Sequence, residues 1–141
     1  MTAILCLPDG SRPELLFKSK PGSVKSEDII AYLKELKKHA GRRKLLLFWD
    51  GLPAHRSKLV KEYLKYQANW LKIERFPAYS PELNPVEYCW SSFKNKDLCN
   101  LEPDGHFGLK RAIRRGCRRI KNNRQLLKGF IKASGLIDYS T

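Results

Sequence analysis

The amino-acid sequence predicts an α/β domain with a central sheet. Three observations support this prediction. Two short apolar segments with a turn between them open the chain, a nearly continuous apolar run, "KLLLFWD", follows at residues 44–50, and helix-type apolar spacing occurs on both sides of that run. A chain of 141 residues is long enough to bury a single core, so we expect one domain.

The N-terminal segment predicts a β-hairpin. "TAILCLP" is typical of a strand, "DGSRP" of a turn and "ELLFKSK" of a second strand. Ser26 is then predicted to cap a helix that opens with Glu27 and Asp28, acids that favour the positive end of the helix dipole. Gly41 is predicted to end that helix. Its inward face is predicted to carry Ile29, Leu33, Leu36 and Ala40.

The middle of the chain predicts a strand, a helix and a second strand. "LLLFW" predicts a strand buried on both faces, and a helix is expected over residues 57–71. "KIERF" predicts a short strand. The predicted inward residues of the 57–71 helix are Leu59, Val60, Tyr63, Leu64 and Ala68.

Helices are predicted for the remainder. Asn84 and Pro85 fit the N-cap and first position of a helix whose inward stripe is Val86, Trp90 and Phe93. A further helix is expected over about 106–121, and a shorter one near Gln125 to Ala133.

Composition narrows the class of partner. The chain has 28 basic and 14 acidic residues, a formal charge of +14, which favours a polyanionic partner without distinguishing RNA-binding proteins from enzymes that act on DNA. No apolar stretch approaches a membrane span, and "MTAILCLPDG" does not resemble a signal peptide. The four cysteines are scattered, and no pair has the close spacing of a zinc site: Cys6, Cys89, Cys99 and Cys117. We expect their thiols to be reduced, in a cytosolic protein.

Asp50 and Glu87 are the candidate catalytic carboxylates. Asp50 closes the apolar strand, and active sites collect at the carboxyl ends of central strands; the alternative is that Asp50 only starts a turn before Gly51. Glu87 lies three residues after Asn84, so it fits a capping box, although the proline-rich approach "PAYSPELNP" is more specific than a helix start requires. Together the two acids suggest a site for Mg²⁺, which prefers carboxylate oxygens and phosphate.

The segments "LLLFWDGLPAHRS" and "FPAYSPELNPVEYCWSSFK" resemble the second half of the catalytic domain of DDE transposases, in particular the mariner-like transposases of bacterial insertion sequences. The resemblance implies an RNase H-like mixed sheet with flanking helices. It also implies that Asp50 is the second catalytic acid and Glu87 the third, with Mg²⁺ or Mn²⁺ as cofactor. The 36 residues between them, 51–86, suit the spacing of that family.

Two departures from the family pattern bear on activity. Gly51 follows the second acid where the family has Asn. The first catalytic Asp of the family lies on a strand upstream of the hairpin, and neither Asp9 nor Asp28 can replace it. We therefore expect a partial fold without its first, central strand, little catalysis by the chain alone, and unpaired strand edges that favour association.

Supporting roles follow from the same motifs. The resemblance places His55 in a loop that supports the site or a phosphate, although a surface histidine is equally ordinary. Tyr79 and Ser80 are predicted to contact a phosphate or to fix their loop. Trp90 and Phe93 have helical spacing and are predicted to belong to the core rather than to stack on bases.

The C-terminal segment is strongly basic. Residues 105–132 contain no acid, and unmixed positive charge on one helix face repels itself unless phosphates neutralise it. A solvated face is the alternative, but we expect contact with the DNA backbone. The predicted DNA-binding residues are Lys110, Arg111, Arg114, Arg115, Arg118 and Arg119.

These observations lead to two functional hypotheses. The first is a C-terminal portion of a DDE transposase, with residues 1–100 as a partial catalytic domain and residues 101–141 as a basic helical extension packed on it. Its partners would be transposon ends and target DNA, a separately encoded N-terminal half, or further copies of the chain, in the cytoplasm and near the nucleoid. The second is a non-catalytic remnant that binds DNA or joins transposase oligomers.

Overall fold

The structure, a computed structural model, describes residues 2–6, 13–99 and 105–136. The turn predicted around Asp9 lies outside these residues. Strands and helices follow the predicted order, which confirms the α/β class. Their bounds are β1 Thr2–Cys6, β2 Glu14–Lys18, α1 Ser26–Ala40, β3 Leu45–Trp49, α2 Lys58–Lys65, β4 Leu71–Arg75, α3 Pro85–Phe93, α4 Gly105–Asn122 and α5 Arg124–Ser134.

The four strands found in the described residues form two ladders. β1 pairs antiparallel with β2, with Leu5 opposite Leu15. β3 pairs parallel with β4, with Trp49 opposite Arg75, so that these two strands end at the same edge. The small parallel sheet with flanking helices is compatible with a fragment of an RNase H-like fold.

The chain divides into two compact units. We call residues 1–19 with 81–141 the hairpin unit, and residues 20–80 the parallel unit. The domain boundary predicted near residue 100 remains a prediction.

The parallel unit is built by α1 and α2 around β3 and β4. The predicted inward face of α1 is confirmed, and the helix ends at Gly41, which adopts a φ of 63° that favours glycine. Lys25 rather than Ser26 is the N-cap; its backbone N–H donates to Asp28, whose carboxylate also accepts from Lys20. The buried apolar residues of this unit are Ile29, Leu33, Leu36, Ala40, Val60, Trp70 and Leu71.

Helix α2 is shorter than predicted. It ends at Lys65, because the next residues form a turn in which Trp70 donates to Gln67 from its backbone and from its indole N–H. The prediction that Leu59 and Ala68 face inward is wrong: Leu59 is 45% exposed, and Ala68 lies in the exposed turn.

Strand β3 is less buried than its sequence predicts. Leu46 is 53% exposed, and its strand neighbours are half-buried, so the prediction of burial on both faces is wrong for the described residues. Among them β3 has one strand neighbour, β4, which leaves its other edge without a ladder partner.

The hairpin unit packs α3, α4 and α5 against the β1–β2 hairpin. α3 buries Pro85, Cys89 and Phe93, while Val86 and Trp90 from the predicted stripe are half-buried. The centroid of the Trp90 ring lies 6.0 Å from that of Phe17 and 6.5 Å from that of Phe93. These contacts confirm the predicted packing role of Trp90 and Phe93. The central core residues of the unit are Leu15, Cys89, Phe93, Ile120 and Leu127.

A π-helical turn, Lys94–Leu98, continues α3 and was not predicted. It carries Asp97, which is 7% exposed, into the interface with α4. Gly116 of α4 approaches this turn and the end of α3 closely, because a Cβ there would lie 2.8 Å from Asp97 Cγ and 2.5 Å from the Phe93 ring.

Candidate active site

Asp50 follows the last residue of β3 and remains accessible. Its side chain is 50% exposed, and its Oδ1 accepts a hydrogen bond from the backbone N–H of Leu52 at 3.2 Å. This contact is the turn-starting role considered as the alternative. It uses one carboxylate oxygen and leaves the other for a ligand.

The His55 side chain also contacts Asp50. Its Nδ1 lies 3.0 Å from Asp50 Oδ1 and 3.1 Å from the Asp50 carbonyl oxygen. The imidazole stacks on Trp49, with centroids 4.3 Å apart and an interplanar angle of 6°. The 3₁₀ turn Pro53–Arg56 thus directs His55 back to the strand end, where it fixes the carboxylate.

Glu87 lies in the first turn of α3. Asn84 caps this helix, since its Oδ1 accepts from the Val86 N–H at 3.1 Å, and Pro85 occupies the first helical position as predicted. The backbone N–H of Asn84 donates to Pro81 at 3.0 Å, so the reciprocal capping-box contact from Glu87 does not form. Glu87 is exposed near the positive end of the helix, and no side-chain partner for it is found in residues 2–6, 13–99 and 105–136.

Tyr79 and Ser80 lie in the loop between β4 and α3 and differ in their contacts. The Ser80 hydroxyl donates to the Ala78 carbonyl at 3.3 Å and so fixes the loop. The Tyr79 side chain is fully exposed, at 101%, and its backbone has a φ of 58°.

Tyr88, next to Glu87, is a residue that the sequence analysis missed. Its hydroxyl lies 3.2 Å from the carbonyl oxygens of Glu82 and Ala133, so it connects the first turn of α3 with α5. No sequence signal could have identified this contact, because Ala133 is 45 residues away in the chain.

The basic residues of α4 divide into two groups. Arg119 donates to both carboxylate oxygens of Asp97, at 3.2 and 2.6 Å, and to the Ser92 hydroxyl at 3.2 Å. We therefore remove Arg119 from the set expected to contact DNA. The other predicted residues are exposed: Lys110, Arg111, Arg114, Arg115 and Arg118.

The groups available to bind a metal ion at this site are carboxylates. Asp50 and Glu87 offer exposed carboxylate oxygens, the ligand type that Mg²⁺ and Mn²⁺ prefer, so their chemistry fits. Within the described segments, no group of three or more His, Cys, Asp or Glu side chains could hold a metal ion. The structure joins Asp50 to His55, and it fixes the turn that carries Glu87 through Asn84 and Tyr88.

Comparison with family models assigns this chain. Residues 10–100 match the model described as DDE superfamily endonuclease, and this region includes both motifs and both carboxylates. The chain belongs to the DDE superfamily. A comparison with curated proteins found no match.

Membership in the DDE superfamily implies a DNA substrate and a nuclease-type reaction at phosphodiesters. Superfamily enzymes generally use divalent metal ions. In the part of the chain that the structure describes, no helix is long and apolar enough to cross a membrane.

Proposed function

We propose that the chain is the C-terminal portion of a DDE transposase of a bacterial insertion sequence, acting in Mg²⁺-dependent DNA strand cleavage and strand transfer. The observation that carries the proposal is the match over residues 10–100, within which Asp50 directly follows a strand and Glu87 lies in the first turn of a helix, each with an exposed carboxylate.

Asp50 and Glu87 are the residues that would hold the divalent ion. When bound, the ion supplies activation of the attacking oxygen and stabilisation of the leaving oxygen of a phosphodiester. The role of His55 is to fix the Asp50 carboxylate through the contact of 3.0 Å with its Oδ1. The attacking groups are water and then a DNA 3′-hydroxyl, without a covalent protein intermediate.

We further propose that residues 1–141 need a third carboxylate from another segment. Only Asp50 and Glu87 stand at positions that match the family motif. A segment that supplies an acid, from the same polypeptide or from a separately encoded half, would complete the site, and cleavage by these residues alone would be close to nil.

The first test is cleavage of DNA carrying the element's ends, with Mg²⁺ or Mn²⁺, in the presence and absence of an upstream transposase segment. We expect cleavage only with that segment. Asp50→Asn and Glu87→Gln should each abolish it, because each removes a charged metal ligand. Glu82→Gln is the matched control, an exposed acid five positions before Glu87, and should retain full activity. Retained cleavage in either ligand variant would contradict the assigned roles.

A second test needs no upstream segment. When Fe²⁺ is bound in place of Mg²⁺ and hydrogen peroxide and ascorbate are added, the Fe²⁺ reduces the peroxide to hydroxide and a hydroxyl radical, and the radical cuts the polypeptide backbone close to the metal; ascorbate returns the Fe³⁺ to Fe²⁺. We expect cuts near Asp50 and near Glu87, both lost in the Asp50→Asn, Glu87→Gln double variant. Cuts confined to one of the two segments would show that these carboxylates do not share an ion.

A second candidate function is DNA binding without catalysis. The exposed basic residues of α4, five of the six predicted, favour it because they offer contacts to phosphates. This activity would also serve a catalytic transposase, so failure of the cleavage tests together with retained binding would select the non-catalytic remnant.

The salt dependence of duplex binding tests the α4 contact. We expect the double variant Arg114→Ala, Arg118→Ala to bind with a smaller salt dependence. The negative slope of log K against log salt concentration should become shallower by about 2, since each phosphate contact contributes about 1. The double variant Lys34→Ala, Lys38→Ala removes the same charge at the same spacing from exposed positions of α1, and should leave the slope unchanged. Equal slopes for both double variants would place the interface elsewhere.

A further inference from the structure

Tyr79 combines backbone strain with complete exposure. Its φ of 58° lies in the left-handed region, and it is the one non-glycine residue with positive φ in the described segments. A bulky residue there costs about 1–2 kcal/mol relative to the right-handed region. With 101% relative exposure, the ring gains no packing that would offset this cost.

The loop around Tyr79 is rigid by composition. Pro77 lies two residues before it and Pro81 two residues after it, and proline fixes its own φ while restricting the residue in front. The Ser80 hydroxyl closes the turn onto Ala78 at 3.3 Å. The ring is therefore presented to solvent by a preorganised backbone.

The parallel ladder places Tyr79 at the edge that carries Asp50. The Phe76 N–H donates to the Trp49 carbonyl at 3.1 Å, immediately before Asp50 in the chain. Tyr79 follows Phe76 by three residues, which span at most about 11 Å. Both residues belong to the parallel unit.

Positive charge flanks the same edge. Arg75, the last residue of β4, and Arg56, in the 3₁₀ turn after Asp50, are both exposed. Exposed cations and an exposed aromatic ring at one strand edge are the groups with which proteins bind single-stranded nucleic acid, because phosphates contact the cations and a base stacks on the ring.

We propose that Tyr79 is a stacking platform for an unpaired DNA base, next to the phosphodiester that is cleaved at the Asp50 site. This inference rests on the proposed function for its DNA substrate. Bases within a duplex have both faces covered by neighbours, so the preferred substrate is a duplex with an unpaired end. Because a stacked ring makes no base-specific hydrogen bonds, the preference is independent of sequence.

Fluorescence anisotropy in EDTA tests the proposal without any metal-dependent step. The probes are a blunt duplex, the same duplex with a short 3′ overhang, and the same overhang made of abasic nucleotides, which keeps the phosphates and removes the bases. We expect the wild-type chain to bind the base-bearing overhang more tightly than both other probes. One stacked base accounts for about a 5- to 150-fold difference in affinity.

Three variants separate stacking from structure. Tyr79→Asn removes the ring and tolerates positive φ, so it should melt at the same temperature as the wild type or higher while losing the overhang preference. Tyr79→Phe should keep the preference. Tyr66→Ala is the matched control, because Tyr66 is 83% exposed and follows the last residue of α2, ahead of the turn that leads to the start of β4.

The outcomes distinguish this inference from the proposed function. Equal affinity for base-bearing and abasic overhangs, or an undiminished preference in Tyr79→Asn, overturns the stacking role alone. Absence of binding to every DNA probe overturns both the stacking role and the DNA-directed function.

Discussion

Asp97 and Arg119 show how single residues acquire roles from their surroundings. Asp97 is 7% exposed, and a buried carboxylate without a partner is strongly unfavourable. Arg119 supplies two hydrogen bonds from a fork-shaped guanidinium, which matches the geometry of a carboxylate. A cation that the sequence analysis assigned to DNA binding is therefore part of the packing between the π-helical turn and α4.

Cys89 provides a prediction on pH at the same scale. Burial raises the pKa of its thiol from 9.0 to about 12. Between these values the unfolded chain loses the proton while the folded chain keeps it, so the free energy of unfolding falls as pH rises. We expect a loss of about 1 kcal/mol per pH unit above pH 9, measured by urea denaturation.

Variants isolate the contribution of this thiol from other groups that titrate in the same range. Cys89→Ala should show a shallower decline of stability with pH, whatever its effect on absolute stability. Cys99 is exposed, so Cys99→Ala should follow the wild-type decline. Identical declines in all three proteins would show that the Cys89 thiol ionises normally in the folded state.

At the scale of elements, the contact of α4 with α3 depends on the absence of a side chain at Gly116. A Cβ there would lie 2.5 Å from Phe93 Cε2 and 2.8 Å from Asp97 Cγ, closer than real contacts allow. The apolar stripe of α4 can therefore reach the core only because this position is glycine. The same close approach brings Arg119 to Asp97.

Two glycine substitutions test this packing. Gly116→Ala should destabilise the protein by about 1–3 kcal/mol, because Phe93 and the π-helical turn must move. Gly129→Ala, on the exposed side of α5 with nothing within 4 Å, should stabilise it by about 0.5–1 kcal/mol through helix propensity alone. The measurement is the free energy of unfolding in urea. Stabilisation of both variants would contradict the close approach.

At the scale of the whole molecule, a strongly charged chain carries a pair of two-stranded ladders in its described segments. β3 offers an edge without a strand partner in the described residues, and Leu46 on it is 53% exposed. Such an edge favours pairing with another strand. The charge of +14 opposes association of identical chains at low salt and opposes it less when salt screens the repulsion.

We therefore expect self-association that increases with salt and depends on β3. Leu46→Lys should reduce it, because a charge on the strand disfavours edge pairing. Leu59→Lys is the matched control: Leu59 is 45% exposed but lies on α2, so association should persist. Light scattering over a concentration series measures the effect. A wild-type chain that stays monomeric at high salt would contradict the prediction.

Local sequence determined the order of elements, the cap of α3 and the motifs that carry Asp50 and Glu87. These features depend on periodicity, on the side chain of Asn84 and on prolines, which act over a few residues. The inward face of α1 follows from spacing for the same reason. The predicted α2 was too long because the apolar residues continue beyond Lys65. There the chain forms a turn, held by hydrogen bonds between Trp70 and Gln67, instead of continuing the helix.

Tertiary structure decided which charged and apolar residues are buried. Arg119 is paired while the other five predicted DNA-binding residues of α4 are exposed, Leu46 is exposed in an apolar strand, and Tyr88 reaches α5 across 45 residues. Burial and long-range hydrogen bonds depend on which segments meet, and no local pattern encodes the partner. The exposure of Tyr79 in particular could be recognised only once its backbone angle and the neighbouring strand ends were placed in space.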